Sequence, residues 1–340
     1  MTYVFTLVGI GLLLAGGGSL VRGTVGIARH YNISLLFVSL VIIGFGTSVP
    51  ELSVSLNAAF KGNEHLALGN VVGSNIANIL LILGISALIR PISFLSPDNK
   101  IPRIIFRDTV VMIAVSLVFF ILAQQGLLPG LVGAVFIAAL AGFIIYSYTA
   151  EQPASAEKLI VAPAKLFPAD GGREEEDTKH GMLFYTALTL GGMAGVVFGA
   201  QIFVDSAVKI AHAFGVSEAA IGLTLVALGT SLPELVTALC AAYQKQTDVI
   251  VGNVIGSNIF NILGILGATL LVTDIALPDN FSDNMNVFLL VTLAVTPFLL
   301  FFGHIRSLVG LAFLISYVAY VDWIYRGGWL LRLLAANVTG

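Results

Sequence analysis

The sequence predicts an all-α polytopic membrane protein, with ten transmembrane helices arranged as two inverted five-helix repeats. Composition is the first reason. Of 340 residues, 57% are hydrophobic and 10% charged, and the mean hydropathy is +0.98; a soluble domain carries roughly 25% charged residues. Segmentation is the second: ten apolar runs can be drawn, and a spanning helix needs about 20 apolar residues. Repetition is the third. Residues 40–84, LVIIGFGTSVPELSVSLNAAFKGNEHLALGNVVGSNIANILLILG, align without a gap on residues 223–267, LTLVALGTSLPELVTALCAAYQKQTDVIVGNVIGSNIFNILGILG, at a constant offset of 183. Of the 45 aligned positions 23 are identical, so the chain is a duplication.

The ten runs cover 3–28, 33–60, 66–89, 104–123, 127–148, 182–212, 218–244, 249–272, 286–302 and 307–325. Several are longer than a bilayer needs, which predicts tilt or breaks. They are continuous Leu, Val, Ile, Gly and Ala runs rather than short alternating strands, which argues against a β-barrel. No basic residue precedes the first run, so it reads as a retained helix rather than a signal peptide. Five runs fall in an N-terminal repeat, 1–148, and five in a C-terminal repeat, 182–340. Because five is odd, the second half starts on the opposite side of the membrane. Inverted repeats with interrupted helices point to a secondary transporter with its site near the midplane.

Between the halves, residues 149–181 are rich in Pro, Ala and charge and include Glu174, Glu175, Glu176 and Asp177. They read as a solvated cytoplasmic linker without EF-hand spacing. With the N-terminus outside, the inside loops hold 12 of the Lys and Arg residues and the outside loops and tail hold 4. That bias predicts both termini outside a plasma or inner membrane. The net charge of −3 leaves no basic footprint for nucleic acid. Cys240, the only cysteine, cannot form an intrachain disulfide and reads as a small buried residue.

Two motifs break the apolar pattern. GTSVPEL, residues 46–52, places glycine, two hydroxyls, proline and glutamate inside a spanning run. Pro50 has no N–H, so the carbonyl of Gly46 loses its helical partner, and Gly44 and Gly46 loosen the same turn. Unpaired backbone at membrane depth is tolerated only against protein or a water-filled cavity. Thr47 and Ser48 lie four and three residues before Glu51 and share its helix face. Hydroxyls, a freed carbonyl and a carboxylate form a hard oxygen cluster suited to Na⁺ or Ca²⁺. Thr230, Ser231, Pro233 and Glu234 repeat the arrangement.

The second motif, GNVVGSNIANI at 69–79, recurs as GNVIGSNIFNI at 252–262. Ser74 with Asn78, and Ser257 with Asn261, add a hydroxyl and an amide on one face each. Gly69 and Gly73, like Gly252 and Gly256, form small-xxx-small patterns that read as close helix packing. Intramembrane carboxylates are costly, and two at symmetric positions read as functional. Asp205 reads instead as a local ion pair with Lys209, and the five histidines sit near segment ends and read as interfacial.

The paired G-T-S-x-P-E and G-N-x-x-G-S-N-I-x-N motifs resemble the two α-repeats of the cation/calcium exchanger superfamily, most closely its prokaryotic sodium/calcium antiporters. The motifs cover about 90 residues in four ordered copies, and the two-half layout covers the whole chain. The resemblance implies a core of the second, third, seventh and eighth helices around four cation sites, with long first and sixth helices lying obliquely across it. It implies Glu51 and Glu234 as shared carboxylate ligands. Thr47, Ser48 and Ser74 would join Glu51 on one side, and Thr230, Ser231 and Ser257 would join Glu234 on the other. The carbonyls of Gly44 and Ala227 would complete flanking sites, and Asn78 and Asn261 would close the centre. Some prokaryotic exchangers carry Asp where Asn261 stands; two central asparagines also occur in animal sodium/calcium exchangers.

The expected function is therefore antiport of Ca²⁺ against Na⁺ by alternating access, with both ions and the lipid bilayer as partners and no cofactor. A Ca²⁺/H⁺ antiporter of the same fold is the alternative, followed by a passive cation channel or an intramembrane metalloenzyme. No P-loop, HExxH or nucleophile-elbow motif is present, and an enzyme is not expected.

Overall fold

The computed structural model describes residues 1–96, 98–150, 181–214, 227–277 and 281–326. The first half holds α1 (Thr2–Tyr31), α2 as two pieces, α2a (Leu35–Thr47) and α2b (Val49–Phe60), then α3 (Glu64–Ile89), α4 (Arg103–Ala123) and α5 (Gly130–Ala150). The second holds α6 (Met182–Ala213), α7 as α7a (Ala227–Thr230) and α7b (Leu232–Tyr243), then α8 (Thr247–Val272), α9 (Ser282–Phe302) and α10 (Ser307–Arg326). Each helix falls on one of the ten apolar runs. The start of the seventh run, the 151–180 stretch and the C-terminal tail lie outside the described residues.

Four two-residue strands fix which loops share a face. Strand β1 (Ile92–Ser93), between α3 and α4, pairs antiparallel with β4 (His304–Ile305), between α9 and α10. Strand β2 (Leu127–Leu128), between α4 and α5, pairs antiparallel with β3 (Ile275–Ala276), between α8 and α9. Both pairings agree with ten alternating crossings. The 183-residue offset carries β1 onto β3, and β2 and β4 stand between the fourth and fifth helices of their halves. The pair on one face is thus repeated on the opposite face, as inversion requires.

Burial separates core from periphery. In its most apolar stretch α8 is 94% buried and α3 72%, whereas the same measure for the other straight helices is 39% or less. Large apolar side chains such as Ile121 on α4, Leu131 on α5, Leu290 on α9 and Leu308 on α10 are exposed on the outer surface; on a helix bundle of this composition that surface is solvated by lipid.

Backbone proximity explains several glycines. Helices α1 and α6 pack along their length. A Cβ on Gly16 would stand 2.7 Å from the backbone nitrogen of Val196, and one on Gly192 would stand 2.4 Å from that of Leu20. Gly252 and Gly256 do the same between α8 and α2a, where added Cβ atoms would approach the carbonyls of Leu36 and Leu40 to 2.8 and 2.3 Å. Small residues let helices approach closely without a hydrophobic driving force between them.

Candidate cation site

The broken helices build the site. Helix α2 bends by 43° between its two pieces. Ser48 at the junction has φ −84° and ψ 10°, and Ser231 in α7 has φ −87° and ψ 5°. Both residues occupy the sparsely allowed bridge region. The cause is local: Pro50 and Pro233 lack the N–H that would continue the preceding turn, yet fit the first turn of a new helix. Helix resumes with Leu52 N donating to Ser48 O (3.1 Å) and Leu235 N donating to Ser231 O (3.0 Å). Glu51 and Glu234 then stand in the first turns of α2b and α7b, where the helix dipole favours negative charge.

Inversion lays the two breaks against each other, and the hydroxyls cross over. Ser48 Oγ lies 2.8 Å from Glu234 Oε1 and Ser231 Oγ lies 3.2 Å from Glu51 Oε1. The hydroxyl one turn before each glutamate therefore serves the carboxylate of the other half. This grouping differs from the one drawn side by side from the sequence. Ser257 shows the same crossing, since its hydroxyl donates from α8 to the carbonyl of Gly44 on α2a (3.0 Å). Ser48 Oγ also reaches Gly44 O (2.9 Å), and Thr47 Oγ1 reaches Ile43 O (2.8 Å). The carbonyls of Ile43 and Gly44, in the turn before the break, are thus each met by a side-chain hydroxyl.

Both glutamates are 1% exposed. Thr47, Ser48, Ser74, Asn78, Ser231, Ser257 and Asn261 are also buried, and of these Ser48 and Ser231 hydrogen-bond to the carboxylates, while Thr230 is half-buried on α7a. Ala227 supplies the first described backbone of α7a. Asn78 and Asn261 each open a π-helical turn, Asn78–Leu83 and Asn261–Leu266. Such bulges widen a helix and recur at functional sites.

Several buried oxygens have no hydrogen-bond partner among the described residues: Glu51 Oε2, Glu234 Oε2, Asn78 Oδ1, Asn261 Oδ1 and Thr230 Oγ1. Buried polar atoms are normally paired, and buried charges are paired or bind metal. The donor set is two carboxylates with hydroxyls, amides and carbonyls; no cluster of three or more His, Cys, Asp or Glu occurs among the described residues. Oxygen-only donors fit hard cations such as Na⁺ and Ca²⁺ and give a soft metal nothing to prefer.

Sequence reasoning passed over Asn70 and Asn253. Asn70 Nδ2 donates to Glu51 O (3.1 Å) and Ser55 Oγ (2.9 Å), and Asn253 Nδ2 donates to Glu234 O (3.4 Å). The signal was available, for each is a polar residue at the same place in both copies of an apolar repeat. Asp205 and Lys209 border one surface hollow beside Met1 but form no ion pair among the described residues. An exposed i,i+4 pair contributes only about 0.2–0.5 kcal/mol, too little to hold both side chains.

Comparison with known proteins covers nearly the whole chain. The sodium/calcium exchanger protein family matches residues 1–149 and 184–326. The inner membrane protein YrbG of Escherichia coli is 33% identical over 294 residues, 84% of this chain and 85% of its own. The sodium/calcium exchanger MaX1 of Methanosarcina acetivorans is 29% identical over 359 aligned residues, covering 94% of this chain and 97% of its own. Among solved structures, the sodium-calcium exchanger NCX_Mj soaked with zero Na⁺ and Ca²⁺ superimposes with a TM-score of 0.79 at 28% identity, over 95% of this chain and 98% of that one.

Proposed function

Because the chain belongs to the sodium/calcium exchanger family, we propose that this multi-pass membrane protein exchanges Ca²⁺ for Na⁺ across the plasma membrane, with Glu51 and Glu234 as the shared cation ligands. The observation that supports this reading best is the crossed pair itself. Two carboxylates, each 1% exposed, meet at the inverted breaks, and each keeps one oxygen that no described residue satisfies. Burying two charges is costly without compensation. One Ca²⁺ offsets both charges, and so do two Na⁺. Either set excludes the other from the same carboxylates, which couples the two ions through competition.

The remaining donors divide into flanking groups. Gly44, Thr47 and Ser48 lie at one break with Ser257 bonded to Gly44 O, and repeat symmetry assigns Ser74 to Ala227, Thr230 and Ser231 at the other. On this reading Asn78 and Asn261, each opening a π-turn, close the centre. A further Na⁺ held by a flanking group makes the exchange electrogenic. The long helices α1 and α6, which pack along their length, slide across the core of α2, α3, α7 and α8 to open the site alternately to each face. The 12-to-4 distribution of Lys and Arg supports an orientation with both termini outside and the 149–181 linker in the cytoplasm. The chemistry is carried by ion exchange alone, with no covalent step and no cofactor.

The test is ⁴⁵Ca²⁺ uptake into proteoliposomes loaded with Na⁺ or with choline, with and without an imposed pH gradient. The proposed exchange requires uptake that depends on the outward Na⁺ gradient. Uptake driven by the pH gradient and indifferent to Na⁺ would assign H⁺ as the counter-ion.

A further inference from the structure

We infer that Asn70 and Asn253 are positioning residues of the cation site, which fix the first turn of each half-helix so that the two carboxylates converge. This deepens the exchange reading above and rests on it for its ion-binding part. Each asparagine lies 19 residues from its glutamate, on the next spanning helix of the same half, and each amide donates to that glutamate's main-chain carbonyl. A bond to the carbonyl sets the rotation of the turn, and hence the direction of the side chain, without touching the carboxylate. Asn253 is fully buried, and its Oδ1 also stands 3.4 Å from Thr47 Oγ1 of the other half. It therefore reaches both broken helices at once.

The two halves also show which contact matters. Asn70 has a second acceptor in Ser55, but the residue at the matching place in the second half is Ala238. The hydroxyl contact is dispensable in one copy, whereas the bond to the glutamate carbonyl occurs in both. An asparagine suits this place because it carries a neutral donor into an apolar helix interface and adds no third charge to the pair.

Misdirected carboxylates penalise the two ions unequally. One Ca²⁺ needs both carboxylates aimed at a single point, while Na⁺ ions also draw on hydroxyls and carbonyls of the flanking groups. Asn70→Ala and Asn253→Ala should each weaken Ca²⁺ binding by at least about ten-fold, the scale on which loss of a group that orients a metal ligand is felt, with a smaller change in the Na⁺ concentration that displaces Ca²⁺. Ser55→Ala should leave the ratio of the two affinities unchanged. Binding is measured by titration calorimetry on purified full-length protein.

Hydrogen–deuterium exchange on the same samples without added cations supplies a readout independent of transport. Amides of residues 51–56 in Asn70→Ala, and of 234–239 in Asn253→Ala, should exchange about 3- to 10-fold faster, as expected for one lost net hydrogen bond. Asn253→Ser serves as a milder second variant, with a smaller shift in the same direction. If Ca²⁺ and Na⁺ affinities fall in parallel, or if neither turn loosens, the asparagines merely pack and the inference is overturned. If the turns loosen but wild-type protein binds no Ca²⁺, the turn-fixing role stands and the exchange reading falls.

Discussion

Glu51 and Glu234 were the most legible residues in the chain, because a carboxylate in an apolar span has to be accounted for by itself. Glu51→Gln and Glu234→Gln should each abolish Ca²⁺ transport in a flux assay while the protein still inserts and purifies as folded material. Either variant exchanging Ca²⁺ at the wild-type rate would remove that residue from the mechanism. What the sequence does not contain is the crossing. That Ser48 serves Glu234 and Ser231 serves Glu51 follows from laying two inverted breaks together, and no spacing along one helix reports it. Gly44 is similar. It reads as a residue that loosens a turn, but a Cβ there would stand 2.9 Å from the backbone nitrogen of Ser257. Gly44→Ala should therefore destabilise the protein by about 1–3 kcal/mol through overpacking, seen as a lower Tm in detergent, although its repeat mate is already Ala227. An unchanged Tm would mean that α2a and α8 separate at no cost.

At the scale of elements, the helices were readable because a spanning helix must satisfy its own backbone, which leaves a long apolar run as its mark. The break in α2 was readable from Pro50 for the same reason. The π-helical turns at Asn78 and Asn261 carry no comparable mark, since nothing in NILLIL or NILGIL distinguishes a five-residue repeat from a four-residue one. The short strands were invisible as well: β1 and β4 are two residues each and owe their pairing to loops brought together by the bundle. The 149–181 element has the composition of a solvated connector. Deleting 155–178 should leave Na⁺-dependent Ca²⁺ flux near the wild-type rate. Complete loss of flux in folded protein would give the linker a mechanistic part.

For the whole molecule, duplication made the architecture legible, since an odd number of helices per half forces inversion. The paired strands agree with this, placing the β1–β4 loops on one face and the β2–β3 loops on the other. Absolute orientation rests on charge alone. Single-cysteine labelling in intact cells, in a Cys240→Ser background, should find residue 170 protected and Gln125 accessible. The reverse pattern would turn the protein over and make the termini cytoplasmic.

The central claim is that Ca²⁺ and Na⁺ compete for one pair of carboxylates, and an equilibrium measurement reaches it without a membrane. The apparent Kd for Ca²⁺ is determined by calorimetry on purified protein at stepped Na⁺ concentrations, with ionic strength held constant by choline chloride. More than one Na⁺ must enter to match the charge of one Ca²⁺. The apparent Kd should therefore climb more steeply than in direct proportion to Na⁺, and Ca²⁺ binding should vanish in Glu51→Gln and Glu234→Gln. A Ca²⁺ affinity that stays constant as Na⁺ replaces choline would contradict the shared site and the coupling derived from it.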